Sequence, residues 1–169
     1  MERKPIQRKT AMKRVGRKRV KTALEGPKVR KKPSVLRSLR TKLWELSKAI
    51  TRARYGNICY TCGKGPLVGS GWHTGHFIPR SICGFYLRYD LRNLRPQCYG
   101  CNIDRGGNGA IFYRNLVRDE GQAYVDQLFA EKELITKETK DFYFAKIAEY
   151  TLILGKLGDK PETDTLPVE

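Results

Sequence analysis

The chain predicts an α+β protein. Its centre is a small cysteine-framed core of short strands and loops, flanked by amphipathic helices and preceded by a basic arm. Three observations lead there. Two Cys-x-x-Cys pairs, Cys59 with Cys62 and Cys98 with Cys101, bracket a segment rich in Gly, Pro and aromatic residues. Apolar residues recur at steps of three and four on both sides of that segment, the period of a helix face. The charge is concentrated at one end: residues 1–54 hold 20 basic and 3 acidic side chains, a net of +17, whereas residues 55–169 hold 14 of each.

Residues 1–33 form the arm. Arg17, Lys18 and Arg19, and Arg30, Lys31 and Lys32, are its densest runs. Its large apolar residues are few and scattered, so we expect disorder in free solution and ordering on a polyanion. Nucleic acid is the expected partner; an anionic membrane surface is disfavoured because no apolar face is present to insert. Residues 34–56 read as an amphipathic basic helix. Leu36, Leu39, Leu43, Leu46 and Ile50 make its apolar stripe, Ser34 its N-cap and Gly56 its stop, with Arg37, Arg40, Lys48 and Arg52 around the remaining surface. Residues 57–118 hold the core, with a hairpin expected around 72–78, a loop over 80–92 and a helix over 109–118. Helices over 121–133 and 138–155 follow within a C-terminal region, 119–155. Their expected apolar stripes are Ala123, Val125, Leu128 and Phe129, then Phe142, Phe144, Ile147, Tyr150 and Leu154. Residues 156–169, with two prolines and several acids, read as a loose tail.

No apolar run reaches the eighteen or so residues of a membrane span. The opening Met-Glu-Arg-Lys-Pro lacks the apolar stretch of a secretory signal, so an intracellular protein is expected.

The two cysteine pairs carry the clearest chemistry. Two thiolates at this spacing grip one metal from a tight turn, and two such turns complete the tetrahedron of a structural zinc. Disulfides would need an oxidising compartment, and a lone redox pair would need no matching partner. One structural Zn²⁺ is therefore expected on Cys59, Cys62, Cys98 and Cys101. Cys83 is left over, with no derivable role. The chain's two histidines, His73 and His76, both lie between the pairs. With four thiolates already satisfying zinc, these imidazoles are free to act as bases near neutral pH. Asn102, directly after the last cysteine, is placed either to hold a hard cation or simply to cap a turn.

Taken together, Gly75-His76-Phe77-Ile78-Pro79-Arg80 and Asn93-Leu94-x-x-x-Cys98-x-x-Cys101-Asn102 resemble an HNH (ββα-metal, or His-Me finger) nuclease of the zinc-knuckle type. From Cys59 to about Glu131 the chain more closely resembles the NinG (Rap) recombination nucleases of lambdoid phages. Trp72-x-x-Gly75-His76, Leu87-Arg88-Tyr89-Asp90-x-Arg92-Asn93, Gln97-Cys98-x-x-Cys101-Asn102 and Tyr113-Arg114-x-Leu116-x-x-x-x-Gly121-Gln122-x-x-Val125-Asp126 carry that likeness.

The resemblance implies a phage-encoded DNA endonuclease of the bacterial cytoplasm, acting on branched recombination intermediates and possible as a homodimer. It implies His76 as general base, Asn93 as brace of the loop and Asn102 as ligand of a catalytic Mg²⁺ or Mn²⁺. The position before the catalytic His, often Asp in such nucleases, is Gly75 here. The position three before it, Asp in the NinG relatives, is His73. The second metal ligand is thus open among His73, Asp90 and Asp104, and Arg80, Arg88 and Arg105 are candidates to clamp a phosphate. A non-catalytic zinc module that binds nucleic acid is the alternative.

Removing residues 1–33 is expected to weaken DNA binding strongly and to flatten its dependence on salt, because counterion release scales with the phosphates neutralised. Titrations of full and shortened chains at several salt concentrations check this; equal affinity and equal slope would reduce the arm to a tail.

Overall fold

The computed structural model describes residues 34–132, 134 and 137–158. The basic runs at Arg17, Lys18 and Arg19 and at Arg30, Lys31 and Lys32 lie outside the described residues, as does the chain beyond residue 158.

Helix α1 (Val35–Tyr55) begins where the Ser34 hydroxyl accepts the Arg37 amide at 3.4 Å. It ends at Gly56, whose φ of +67° lets its N–H close back on the Arg52 carbonyl. Its leucine face packs chiefly against α4 (Lys140–Gly158). There Leu43 and Ile50 meet Tyr143, Ile147 and Tyr150, with Tyr89 from an intervening loop. Between these helices in sequence lie β1 (Trp72–His76), β2 (Leu94–Cys98), α2 (Gly109–Glu120) and α3 (Gln122–Lys132).

β1 and β2 pair antiparallel, from Trp72 opposite Cys98 to His76 opposite Leu94. This corrects the expectation of a hairpin around 72–78. The partner strand comes from across the loop 77–93, and its Leu-Arg-Pro-Gln-Cys sequence lacks the β-branched residues that mark a strand. Pro96 is tolerated because the sheet has two strands only, so one side of each strand has no ladder to complete.

A second apolar cluster fills the space between the loop and the next two helices. Phe77, Ile78 and Leu87 pack there on Phe112 and Leu116 of α2 and on Leu128 of α3. Cys83 is buried in the same cluster, so its thiol is a packing group, held above its ordinary pKa by burial.

Two stripe expectations need correction. On α3 Val125 and Leu128 are buried, whereas Ala123 and Phe129 are exposed. On α4 the buried residues are Tyr143, Ile147 and Tyr150, spaced four and three apart, with Leu154 partly buried one turn on. Phe144 lies about 100° round the helix from Tyr143 and is 55% exposed.

Arg95 of β2, 1% exposed, joins the layers. Its guanidinium donates to the Leu91, Arg92 and Leu94 carbonyls and to Glu120 Oε1 at 2.7 Å, and lies 4.4 Å from the ring centre of Tyr55 and 5.4 Å from that of Tyr60. A charge this deep is tolerated because nearly all its donors are matched.

Leu43, fully buried between α1 and α4, tests that packing. Leu43→Ala should cost about 2–5 kcal/mol of stability, as core truncations do. Chemical denaturation measures it, and a loss under 1 kcal/mol would mean the α1–α4 contact is not a tight core.

Candidate functional site

The four cysteine sulfurs gather from two turns. One follows α1, at Cys59 and Cys62; the other runs from the end of β2 into a π-helical turn, Gly100–Asp104. Leu67 and Trp72 pack over them. All four Sγ atoms lie within 4.8 Å of one another, and Cys62 Sγ to Cys98 Sγ is 3.8 Å. That distance matches the edge of a tetrahedron of thiolates about 2.3 Å from a central zinc, which is about 3.8 Å.

Donors surround the sulfurs. The Thr61 hydroxyl is 3.4 Å from Cys59, and Arg105 Nη1 and Asn108 Nδ2 are each 3.7 Å from Cys101. Burial works against the Cys59 thiolate, but Thr61 and the backbone amides of Cys98, Cys62 and Thr61 outweigh it and bring the thiol down to about 6. Among the described residues these cysteines are the one group of three or more His, Cys, Asp or Glu side chains able to hold a metal ion together. The donor set, spacing and surrounding hydrogen bonds fit a structural tetrathiolate ion.

The two histidines have different surroundings. His73 Nε2–H donates to the Ser70 carbonyl at 3.0 Å, which leaves Nδ1 as an acceptor, and Asn102 Nδ2 meets it at 3.3 Å. Tyr99 lies edge-on to the same ring at 5.6 Å. His73 is therefore the candidate second ligand that touches Asn102. Asp90 is engaged elsewhere: it accepts the Arg92 amide at 2.8 Å, and its carboxylate pairs with the Arg92 guanidinium at 2.7 Å, which also binds Glu131. Asp104 is exposed on the π-helical turn.

His76 closes β1. Its Nε2–H donates to the Arg88 carbonyl at 3.0 Å, so the lone pair is on Nδ1. Trp44 of α1 stacks on the imidazole, 5.4 Å between centres and 10° from parallel. Burial holds the His76 pKa below its ordinary value. The Arg80 and Arg88 charges add to that, while the hydrogen bond to the Arg88 backbone opposes it. The ring borders a cavity of about 150 Å³ lined also by Arg40, Thr41, Trp44, Arg80, Arg88 and Tyr89.

The loop carrying Arg80, Arg88 and Tyr89 is braced by Asn93, which is fully buried. Asn93 Oδ1 accepts the Ile78 amide at 2.6 Å, and Nδ2 donates to the carbonyls of Ile78 at 3.1 Å and Leu87 at 3.0 Å. Gly75 is sterically committed: a Cβ there would overlap the buried Gln97 carboxamide, which is held by Thr61 Oγ1 at 3.2 Å and the Gly107 carbonyl at 2.7 Å.

The structure thus groups His76 with Arg80 and Arg88, groups His73 with Asn102, and sets Arg105 against Cys101. Sequence reasoning did not single out Trp44 and Thr41, nor Tyr89 as a lining residue. The available signal was their spacing: Arg40 and Thr41 lie four and three residues before Trp44, a second face of α1 beside the leucine stripe.

Two antiparallel strands, two cysteine turns and the helices around them define a small α+β protein with a tetrathiolate metal-type site. The family model for the bacteriophage lambda NinG protein matches residues 1–159, and the chain belongs to that family. It is 31% identical over 101 residues to the ninG protein of Salmonella phage P22, covering 60% of this chain and 48% of that one. It is 33% identical over 70 residues to that of Escherichia phage 933W and 31% over 70 to that of Escherichia phage lambda, each covering 41% of this chain and 33% of the relative. The matches thus span between a third and a half of these curated relatives. No solved structure matches. No helix among the described residues is long and apolar enough to cross a membrane.

One zinc per chain is expected by native mass spectrometry. A strong chelator should strip it and collapse the amide dispersion of residues 57–108, because binding energy at such sites is folding energy. A chain that kept its fold and spectrum in chelator would exclude the structural ion.

Proposed function

We propose that this chain is a metal-dependent DNA endonuclease of the HNH type acting on branched recombination intermediates. The observation that carries the reading is His76: a half-buried imidazole with Nε2–H tied to the Arg88 carbonyl, its plane set by Trp44, beside a cavity with three arginines. Such a ring has one basic nitrogen, Nδ1, and a depressed pKa keeps it unprotonated near neutrality.

In the reaction, Nδ1 takes a proton from water as the oxygen attacks phosphorus. The new P–O bond forms as the bond to the 3′ oxygen breaks, giving 5′-phosphate and 3′-hydroxyl ends. The 3′ alkoxide takes its proton from solvent. His76 Nδ1 returns its own to bulk water. Asn93 keeps the loop from drifting away from the ring. Arg80 and Arg88 neutralise phosphate charge at the cavity.

Asn102 through Oδ1 and His73 through Nδ1 would hold the catalytic cation in place of the hydrogen bond that joins these two side chains, Mn²⁺ suiting an imidazole–amide pair better than Mg²⁺. When bound it stabilises negative charge on the phosphate and leaving oxygen. Cys59, Cys62, Cys98 and Cys101 would fill all four positions of a bound zinc, which would then serve structure alone.

End-labelled four-way junction, flap and linear duplex DNA, incubated with chelator, Mg²⁺ or Mn²⁺, test this reading. Metal-dependent cutting of the branched substrates is expected, falling by at least a hundredfold in His76→Ala with zinc content unchanged. Because the base form must be neutral and its pKa is depressed, activity should hold as pH falls from 8 and be lost only below pH 6.5, the ordinary histidine value. Tight binding without a cut under every metal would leave the non-catalytic zinc module standing instead.

A further inference from the structure

The cavity beside His76 has a wall that comes from outside the cysteine-framed core. The cysteine frame begins at Cys59, yet Arg40, Thr41 and Trp44 come from α1. Among the described residues no carboxylate lines the cavity, while three guanidinium groups do.

Arg88 Nε is a buried donor without a hydrogen-bond partner, and it is the one guanidinium nitrogen among the described residues in that position. Buried donors rarely go unmatched without a reason. Arg40 is held from outside: Glu138, in the connection between α3 and α4, grips its Nε at 2.7 Å and its Nη2, and Tyr143 donates to the same carboxylate. That clamp draws Glu138 below its ordinary pKa and keeps it charged. It spends one acid on three bases, so the cavity keeps an excess of positive charge.

We infer that this cavity is a phosphate-binding pocket of nucleic acid in which Arg40 of α1 and Arg88 of the loop grip the anion together with Arg80, making α1 part of the site. The Arg40, Arg80 and Arg88 guanidinium groups line the cavity and supply donors of the kind that match phosphate oxygens. Trp44 forms a wall and stacks on the imidazole. Glu138 positions Arg40 without entering the cavity. A volume of about 150 Å³ has room for a tetrahedral phosphate with its ester carbons. The inference rests on the nucleic-acid part of the proposed function but requires no cleavage.

His73 and His76 are the only histidines of the chain, so their ring signals report two places at once. The test is proton–carbon NMR of the full, zinc-loaded chain without other divalent metal. Inorganic phosphate, thymidine 5′-monophosphate and thymidylyl-thymidine are titrated in turn, against sodium chloride at matched ionic strength. His76 ring signals should shift saturably while those of His73 stay in place. Arg40→Gln and Arg88→Gln should each weaken the dissociation constant at least tenfold, and Arg118→Gln, an exposed position on α2, should not change it. A response to the dinucleotide assigns the pocket to an internal phosphodiester; a response to the monophosphate alone assigns it to a chain end. Should a variant misfold, shown by displaced His73 signals, the wild-type titration decides by itself. Unmoved His76 signals, equal movement of both histidines, or full affinity in both folded variants would overturn the pocket. Loss of the nuclease reading would show separately, as absent metal-dependent cutting with the His76 response intact.

Discussion

Three hydrogen bonds from one buried carboxamide hold the centre of this protein in shape. Asn93 spans the loop 77–93, taking the Ile78 amide and returning its two protons to Ile78 and Leu87. Each such bond contributes about 1 kcal/mol net, and leaving the buried groups unpaired costs about 1–3 kcal/mol each. The loop has little regular structure of its own, yet it delivers the Arg88 carbonyl to His76 and the Tyr89 ring to the α1–α4 core. Without that brace, the imidazole tautomer and the arginine-lined cavity would have no fixed support.

The rest of the site is arranged around space rather than charge. Gln97 lies fully buried between β1 and the cysteine turns, and it can do so because Gly75 has no side chain. The missing side chain at Gly75 permits close packing of strand on carboxamide. Burial lowers the proton affinity of His76, and the charges of Arg80 and Arg88 add a smaller push in the same direction. Arg95 adds rigidity beneath them, its donors turned to carbonyls and to Glu120 rather than to the cavity.

Much of this was legible in the sequence, and the failures are instructive. The cysteine spacing announced four sulfurs that the fold brings within 4.8 Å, because a Cys-x-x-Cys turn is a local geometry that spacing alone encodes. The leucine stripe of α1 was legible for the same reason. The pairing of 72–76 with 94–98 was not, since Pro96, Gln97 and Arg95 have no strand signature and the ladder depends on where the loop returns. The face of α4 was misjudged at Phe144 because aromatic residues at 142, 143 and 144 leave three helical phases open, and only contact with Leu43 and Tyr89 selects among them. The cavity was invisible because Arg40, Trp44, Arg80 and Arg88 converge from two elements.

The Tyr89 carbonyl receives the Tyr150 hydroxyl of α4 at 2.9 Å and the Ser47 hydroxyl of α1 at 3.5 Å. One backbone oxygen next to the site is thereby shared by helices some hundred residues apart in the chain. The site is consequently not a portable cassette. A peptide from Cys59 to Asn102 would contain every cysteine and both histidines, yet lack the cavity's second wall and the anchors of its loop. Through that oxygen α4 anchors the loop residue next to Arg88, so this helix takes part in shaping the site while, among the described residues, contributing no side chain to the lining of its cavity.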